Sequence, residues 1–163
     1  MIFLSKTLGK DKYPFITAEI SCNHQGNLEQ AKKLILAAKE SGADAVKIQV
    51  YTPDDMTFNK KTYTGPQDNY EITNEFHINE GTWKNQHLYE LYSKTQTYNE
   101  IAEYMLQQAK LIDIPLFVSV FHQRWIAWGE EFNIPAYKIA SFELTDTYLI
   151  RKVAKTAKPI VLS

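Results

Sequence analysis

Ser41-Gly-Ala-Asp-Ala-Val-Lys-Ile-Gln-Val50 closes one helix and opens a strand. Before it, Leu28, Ala31, Leu34, Ile35 and Ala38 recur at helical spacing, the periodicity of an amphipathic helix. Asn27 with Gln30 three residues on is a variant of the capping box, and Gly42 stops the run. Ala45–Val50 then reads as a strand. Working outward, Phe15–Ile20 is a strand before that helix, and Pro115–Val120, Ala136–Ala140 and Ile160–Ser163 are strands after it. Thr97-Tyr-Asn-Glu100 fits a capping box ahead of a helix whose face carries Ile101, Met105, Ala109 and Ile112. Trp125–Phe132 and Thr145–Thr156 are further helix candidates. Trp125, Trp128 and Phe132 recur at spacings of three and four, which predicts a helix face packed on the core.

Strand, helix, strand, helix is the pattern of parallel β/α architecture, because parallel strands need a crossover connection. A doubly wound open sheet and a barrel compete. No Gly-x-Gly-x-x-Gly turn follows the first strand and no phosphate-loop pattern occurs, which weakens the nucleotide-binding open sheet. Glu19, Lys47, Gln49, Ser119, Lys138 and Ser163 all fall within strands or at their C-terminal ends. A barrel gathers its chemistry on that face, with a residue from each of several strands. The expected fold is therefore α/β, a parallel (β/α)8 TIM-type barrel. Such a barrel has eight strands in roughly 250 residues. This chain of 163 residues holds about five, the N-terminal part of one barrel domain.

Composition narrows the function classes. The 18 Lys and Arg against 19 Asp and Glu give a net charge of −1, without the basic excess of a nucleic-acid binder. The longest apolar run, Ile114–Phe121, is far short of the roughly 20 residues that span a bilayer, and the first twelve residues lack a signal-peptide pattern. One cysteine, Cys22, excludes an internal disulfide framework. A cytoplasmic protein is expected. Residues 52–81 form a long polar stretch with little periodicity. In a barrel it would cross the mouth, as a lid or as an insertion.

Lys47 and Lys138 occupy equivalent positions in two strands, each bracketed by apolar residues. A buried ammonium group needs a counter-charge. Either each lysine pairs with a core carboxylate such as Glu19, or a substrate phosphate or carboxylate lies between them. Glu19, ending the first strand, and Glu143, five residues after Lys138, add two carboxylates suited to proton transfer. His24 sits in the first strand-to-helix turn, where a lone histidine is more often hydrogen-bonded or solvated than catalytic. His77, His87 and His122 form no metal-binding spacing with it. Cys22 has no legible histidine–carboxylate pair and reads as a packing residue.

Three blocks together resemble one family. Phe15-Ile-Thr-Ala-Glu-Ile-Ser-Cys-Asn-His-Gln-Gly-Asn-Leu28, Ser41 to Asp54, and Tyr137-Lys-Ile-Ala-Ser-Phe-Glu143 look like the sialic acid synthases, which include N-acetylneuraminate, legionaminate and pseudaminate synthases. Lys158 to Ser163 resembles the opening of the family's next motif, and Ala140-Ser-Phe-Glu143 is closest to the pseudaminate branch. The resemblance implies condensation of phosphoenolpyruvate with an N-acylated hexosamine, giving a nine-carbon 2-keto-3-deoxy acid and phosphate. It implies that Lys47 and Lys138 hold phosphoenolpyruvate while Ser119, Ser141 and Ser163 donate hydrogen bonds to it. Glu19, Gln49, Phe121 and Glu143 would line the same site. Val120 stands where the family often has proline.

The family also implies a divalent metal, manganese or magnesium, held by histidines of the later barrel half. It implies a C-terminal antifreeze-like domain and a domain-swapped homodimer. No residue of this chain corresponds to the metal ligands or that domain, so the chain carries about half of the family's site. Another phosphoenolpyruvate–aldose condensing synthase, or a non-catalytic remnant that binds a partner or a phosphorylated ligand, remain the alternative readings. The isolated polypeptide is predicted not to turn over phosphoenolpyruvate. The check is a phosphate-release assay with N-acetylated hexosamine, in which measurable release from this chain alone would contradict the expectation.

Overall fold

A computed structural model describes residues 2–59, 78 and 80–163. The chain opens with a short antiparallel hairpin, β1 (Ile2–Phe3) and β2 (Lys6–Thr7). Then follow β3 (Thr17–Ser21), α1 (Leu28–Glu40), β4 (Ala45–Val50), α2 (Pro53–Met56), α3 (Leu88–Thr95) and α4 (Asn99–Leu111). The last part comprises β5 (Leu116–Val120), α5 (Arg124–Glu131), β6 (Tyr137–Ile139), a 3-10 turn (Ser141–Thr145), α6 (Thr147–Ala154) and β7 (Ile160–Leu162). Strands β3 to β7 pair in parallel, in the order in which they occur in the chain. A doubly wound sheet reverses its strand order at a switch point. The unreversed order here is that of consecutive strands in a β/α barrel.

The local chemistry explains most boundaries. Asn27 caps α1 by accepting a hydrogen bond from the Gln30 amide at 3.0 Å, and α1 ends where Gly42 turns left-handed at φ 81°. β4 and β5 form the centre of the sheet, and Ala45, Val46, Ile48, Val50, Leu116, Val118 and Val120 are all buried. Ile35, Met105, Leu106, Trp125 and Trp128 join the same core from the helices. Trp125 and Trp128 meet edge to face at 6.0 Å and Trp128 stacks obliquely on Phe132 at 5.2 Å, as the sequence spacing predicts. The expected capping box at Thr97 does not form. Helix α4 starts at Asn99 after Tyr98, with no side-chain cap, because the buried Thr97 hydroxyl is engaged by His24 instead. The expected helix over residues 145–156 is shorter, preceded by the 3-10 turn and capped by Asp146. Of the long polar stretch read as a lid or an insertion, residues 60–77 and 79 lie outside the described residues. Its first residues form α2.

The N-terminal hairpin had no clear periodic signal. It seats Phe3 against Phe15 and Phe117, both edge to face at 5.0 and 5.7 Å. Asp44, just before β4, fastens it there, accepting from Lys6 Nζ at 2.6 Å and from the Ile16 amide at 2.8 Å. On the helical side, Tyr137 Oη donates to Glu130 at 2.8 Å, and Lys158 pairs with the same carboxylate at 2.7 Å. That phenol passes over Gly129, where an added Cβ would lie 2.3 Å from Tyr137 Oη. Alanine is intrinsically better than glycine inside a helix by about 1 kcal/mol, so the sign of Gly129→Ala reads the packing directly. Overpacking outweighs propensity here, and a net loss of about 1–3 kcal/mol is expected in urea unfolding.

Candidate active site

The strand register places the polar strand residues on one face of the sheet. Glu19 lies beside Lys47, Lys47 beside Phe117, Gln49 beside Ser119, Ser119 beside Lys138, and Lys138 beside Val161. Paired residues of parallel strands point to the same side. The two lysines therefore share the face turned away from the helices, while Val46, Ile48, Val118 and Tyr137 point into the core. A one-residue slip at any strand would separate them.

Lys47 is buried, with only 7% exposure. Its ammonium ion-pairs with Glu19 Oε2 and donates to Ser119 Oγ at 3.0 Å. Burial pushes the Lys47 amine down, the Glu19 carboxylate counteracts this, and the nearby charge of Lys138 adds to the lowering. A bulge between Glu19 and Ser21 shifts the register at the end of β3. Ser21 adopts φ 51° there, and its amide donates to Glu19 Oε1 at 2.8 Å. The bulge thus holds one carboxylate oxygen while the other meets Lys47, the re-aiming role such irregularities commonly have. Of the two sequence readings for Lys47, the structure shows the carboxylate pair.

Lys138 differs. Among the described residues it makes no hydrogen bond or ion pair. Its charge acts on Lys47 and on Glu143. Both lysines border a cavity of about 740 Å³ on the inner face, floored by Phe3, Phe15 and Phe117. Its charged lining is Lys47, Lys138 and Lys158, with no carboxylate among the lining residues. Lys47 and Lys158 already have carboxylate partners. Among the described residues the cavity therefore presents one cation without a carboxylate partner, Lys138, beside two paired ones.

Glu143 sits on the 3-10 turn just beyond β6, as expected. Its Oε2 is buried with no hydrogen-bond partner among the described residues. Burial raises the Glu143 carboxyl above its usual range, Lys138 partly offsets this, and Asp146 reinforces it. Ser119 is buried, Gln49 and Phe121 are half-buried, and Ser141 and Ser163 are exposed. The Ser163 amide still joins the sheet, reaching the Ile139 carbonyl at 3.4 Å. Phe121 packs edge to face on Tyr51 at 5.9 Å, at the C-terminal rim of β4 and β5. The sheet thus gathers Glu19, Lys47, Gln49, Ser119 and Lys138, with Glu143 near Lys138. Ser141 and Ser163 lie at the C-terminal ends of β6 and β7 and, among the described residues, have no side-chain partner that ties them to the lysines.

Two partnerships at the rim escaped the sequence reading, which had His24 only as a hydrogen-bonded or solvated turn residue. His24 is fully buried, with Nδ1 accepting from the Gly26 amide at 3.1 Å and Nε2 facing Thr97 Oγ1 at 2.9 Å. An Nδ1 acceptor leaves Nε2 as the proton-bearing nitrogen, and burial lowers the pKa of the ring. Asp55 receives Arg124 and Trp125 from the start of α5. Neither partnership has a sequence signal, since each joins residues about 70 positions apart. Both ring nitrogens of His24 are occupied, and no group of three or more His, Cys, Asp or Glu among the described residues is placed to hold a metal ion.

Residues 34–163 match the model of the NeuB family. The chain belongs to that family. It is 43% identical to pseudaminic acid synthase of Helicobacter pylori over 150 residues, covering 92% of this chain and 41% of that protein. Over 153 residues it is 42% identical to pseudaminic acid synthase of Campylobacter jejuni, covering 94% and 41%. This NeuB-family chain thus spans about two-fifths of the length of these curated relatives. Its fold matches the N-acetylneuraminic acid synthetase of Leptospira borgpetersenii with a TM-score of 0.77 at 18% identity, covering 99% of this chain and 48% of that one. It matches a spore coat polysaccharide biosynthesis protein of Bacillus subtilis with a TM-score of 0.69 at 26% identity, covering 99% and 39%. The likeness places the five-stranded sheet as part of a TIM-type barrel, as the strand order indicates.

The buried carboxyl of Glu143 yields a pH-dependent expectation. A carboxylate whose folded pKa is raised costs nothing while both states are protonated. The folded state then loses stability as pH climbs from the unfolded value through the folded one. Glu143→Gln removes that loss. Denaturant unfolding is expected to show the variant more stable than the parent at neutral pH, and equal to it below the usual carboxylate range.

Proposed function

We propose that this chain supplies the phosphoenolpyruvate-binding half of a nonulosonate synthase active site. The reaction condenses phosphoenolpyruvate with an N-acylated hexosamine to a nine-carbon 2-keto-3-deoxy acid, most simply pseudaminate. The reading is supported by membership of the NeuB family and the identity to pseudaminic acid synthases. The observation that carries it is the pair Lys47 and Lys138 on one sheet face, bordering a cavity with no carboxylate in its lining. Phosphoenolpyruvate presents a phosphate and a carboxylate close together. Lys138, with no ion pair among the described residues, takes one anionic group, and Lys47 with Ser119 takes the other. Lys47 keeps its ammonium form there through Glu19, since burial alone lowers its pKa. Ser141 and Ser163, on the turns beyond β6 and β7, complete the donor set around the phosphate.

In the reaction the enol carbon of phosphoenolpyruvate forms a bond to the aldehyde carbon of the open-chain sugar, whose oxygen becomes a hydroxyl. Water adds to the neighbouring phosphate-bearing carbon, and loss of inorganic phosphate leaves the 2-keto group. Fixed cations stabilise the charge that develops on the phosphate and carboxylate, the preorganised electrostatics on which such steps depend. Glu143, held toward its protonated form by burial, is the proton donor on this face. Glu19, Gln49 and Phe121 line the sugar side. The divalent metal implied by the family does not fit the described residues: Glu19 is engaged by Lys47 and Ser21, and His24 by Gly26 and Thr97. The barrel domain, continued by further strands and an antifreeze-like domain and paired as a homodimer, is the setting we propose for this site.

Calorimetric titration of the chain with phosphoenolpyruvate tests the reading. Lys138→Met is expected to weaken binding roughly 10- to 150-fold, the effect of losing a charge-assisted hydrogen bond to an anion. Equal affinity in parent and variant would remove Lys138 from the site. Exchanging N-acetylated hexosamine for arabinose or erythrose phosphates, in an active assembly containing this chain, separates the reading from other phosphoenolpyruvate–aldose synthases.

A further inference from the structure

At the rim above the lysines, one carboxylate oxygen joins α2 to α5. Asp55 Oδ2 accepts from the Thr52 amide at 2.8 Å, from Thr52 Oγ1 at 3.3 Å, from Arg124 Nη2 at 2.6 Å and from Trp125 Nε1 at 2.9 Å. Arg124 also donates to Thr52 Oγ1. The Asp55 side chain is only 3% exposed. Thr52 caps and Asp55 lies within α2, the short helix that follows β4, and Arg124 and Trp125 open α5, the helix that follows β5. These are the strands that carry Lys47 and Gln49 on one side and Ser119 on the other. Directly beneath the bracket, Tyr51 and Phe121 follow the paired residues Val50 and Val120 and meet edge to face. Four donors converging on a single oxygen need a full negative charge, because charge-assisted bonds are about twice as strong as neutral ones. An amide in the same place cannot hold them all equally.

We propose that Asp55 and Arg124 form a positioning bracket for the site: by tying α2 to α5, they set where Gln49, Ser119 and Phe121 stand relative to bound phosphoenolpyruvate. The inference rests on the function proposed above. Neither residue is among those lining the cavity, so the effect passes through the elements that follow β4 and β5. Geometry of this kind matters because a misplacement of about 1 Å at a binding group costs up to about 100-fold in a reaction.

The sign of the effect separates a bracket from simple electrostatics. Acting through space on an anionic ligand, Asp55→Asn tightens binding and Arg124→Met weakens it. Acting as a bracket, both weaken it, and the double variant is no worse than either single one, since residues of one network are not additive. Phosphoenolpyruvate titration of the parent, both single variants and the double variant is expected to show about 3- to 10-fold weaker binding in all three. In the ligand-free protein, proton NMR is expected to show loss of the Tyr51–Phe121 ring contact and a shifted Trp125 indole N–H in each variant. Arg124 is half-exposed, so Arg124→Met keeps the test informative if Asp55→Asn fails to fold. Opposite signs for the two single variants, additive losses, or unchanged affinity in folded Arg124→Met would each overturn the bracket. Absence of phosphoenolpyruvate binding by the parent would instead overturn the proposed function. The ligand-free spectra then decide the bracket alone: retention of the Tyr51–Phe121 contact in Arg124→Met rejects it, and loss supports it.

Discussion

A lysine in the middle of a buried strand constrains everything around it. The Lys47 ammonium could not persist there without a counter-charge, because burying an isolated ion costs several kcal/mol even after relaxation. Glu19 supplies the charge and Ser119 a further acceptor, and each comes from a different strand. The three strands must therefore be neighbours in one register. The bulge at the end of β3 is part of the same requirement, since it turns the Glu19 carboxylate toward the lysine and secures its second oxygen on the Ser21 amide. Structure and site are one arrangement at this point.

The same register extends across β6 and brings Lys138 to the face that Lys47 occupies. The two lysines are not equivalent once folded. Among the described residues one is matched by a carboxylate and the other is not, which makes Lys138 the stronger attractor for an added anion. Glu143 is close enough to feel its charge, and burial raises its carboxyl above the usual carboxylate range. Phe3, Phe15 and Phe117 give the inner face beside these charges an apolar lining.

Much of this was legible beforehand. The five parallel strands lie where apolar runs sit between amphipathic stretches, and their observed ends differ by a residue or two from the expected ones. Asn27 caps its helix as its spacing with Gln30 implies. Thr97 shows the limit: its spacing with Glu100 is that of a capping box, yet the hydroxyl is taken by a buried histidine from a turn far away in the chain. A local pattern competes there with a tertiary partner, and the buried partner wins because an unsatisfied imidazole would cost more than an uncapped helix end. The N-terminal hairpin and α3 are short and weakly periodic. Their places come from packing, Phe3 against two other rings and Tyr51 against Thr95 and Tyr92.

Periodicity and residue type alone determined the alternation of strands and helices, the choice of a barrel over a nucleotide-binding sheet, and the suspicion attached to Glu19, Lys47, Lys138 and Glu143. These follow from interactions within a few residues, or from the cost of placing a charge among apolar neighbours. Only the tertiary structure decided that, among the described residues, Lys47 is paired while Lys138 is not, that Glu143 has a buried oxygen without a partner there, and that Asp55 joins α2 to α5 at the rim. Each of those facts depends on distances between residues far apart in the chain, and such distances exist only after the strands have found their register.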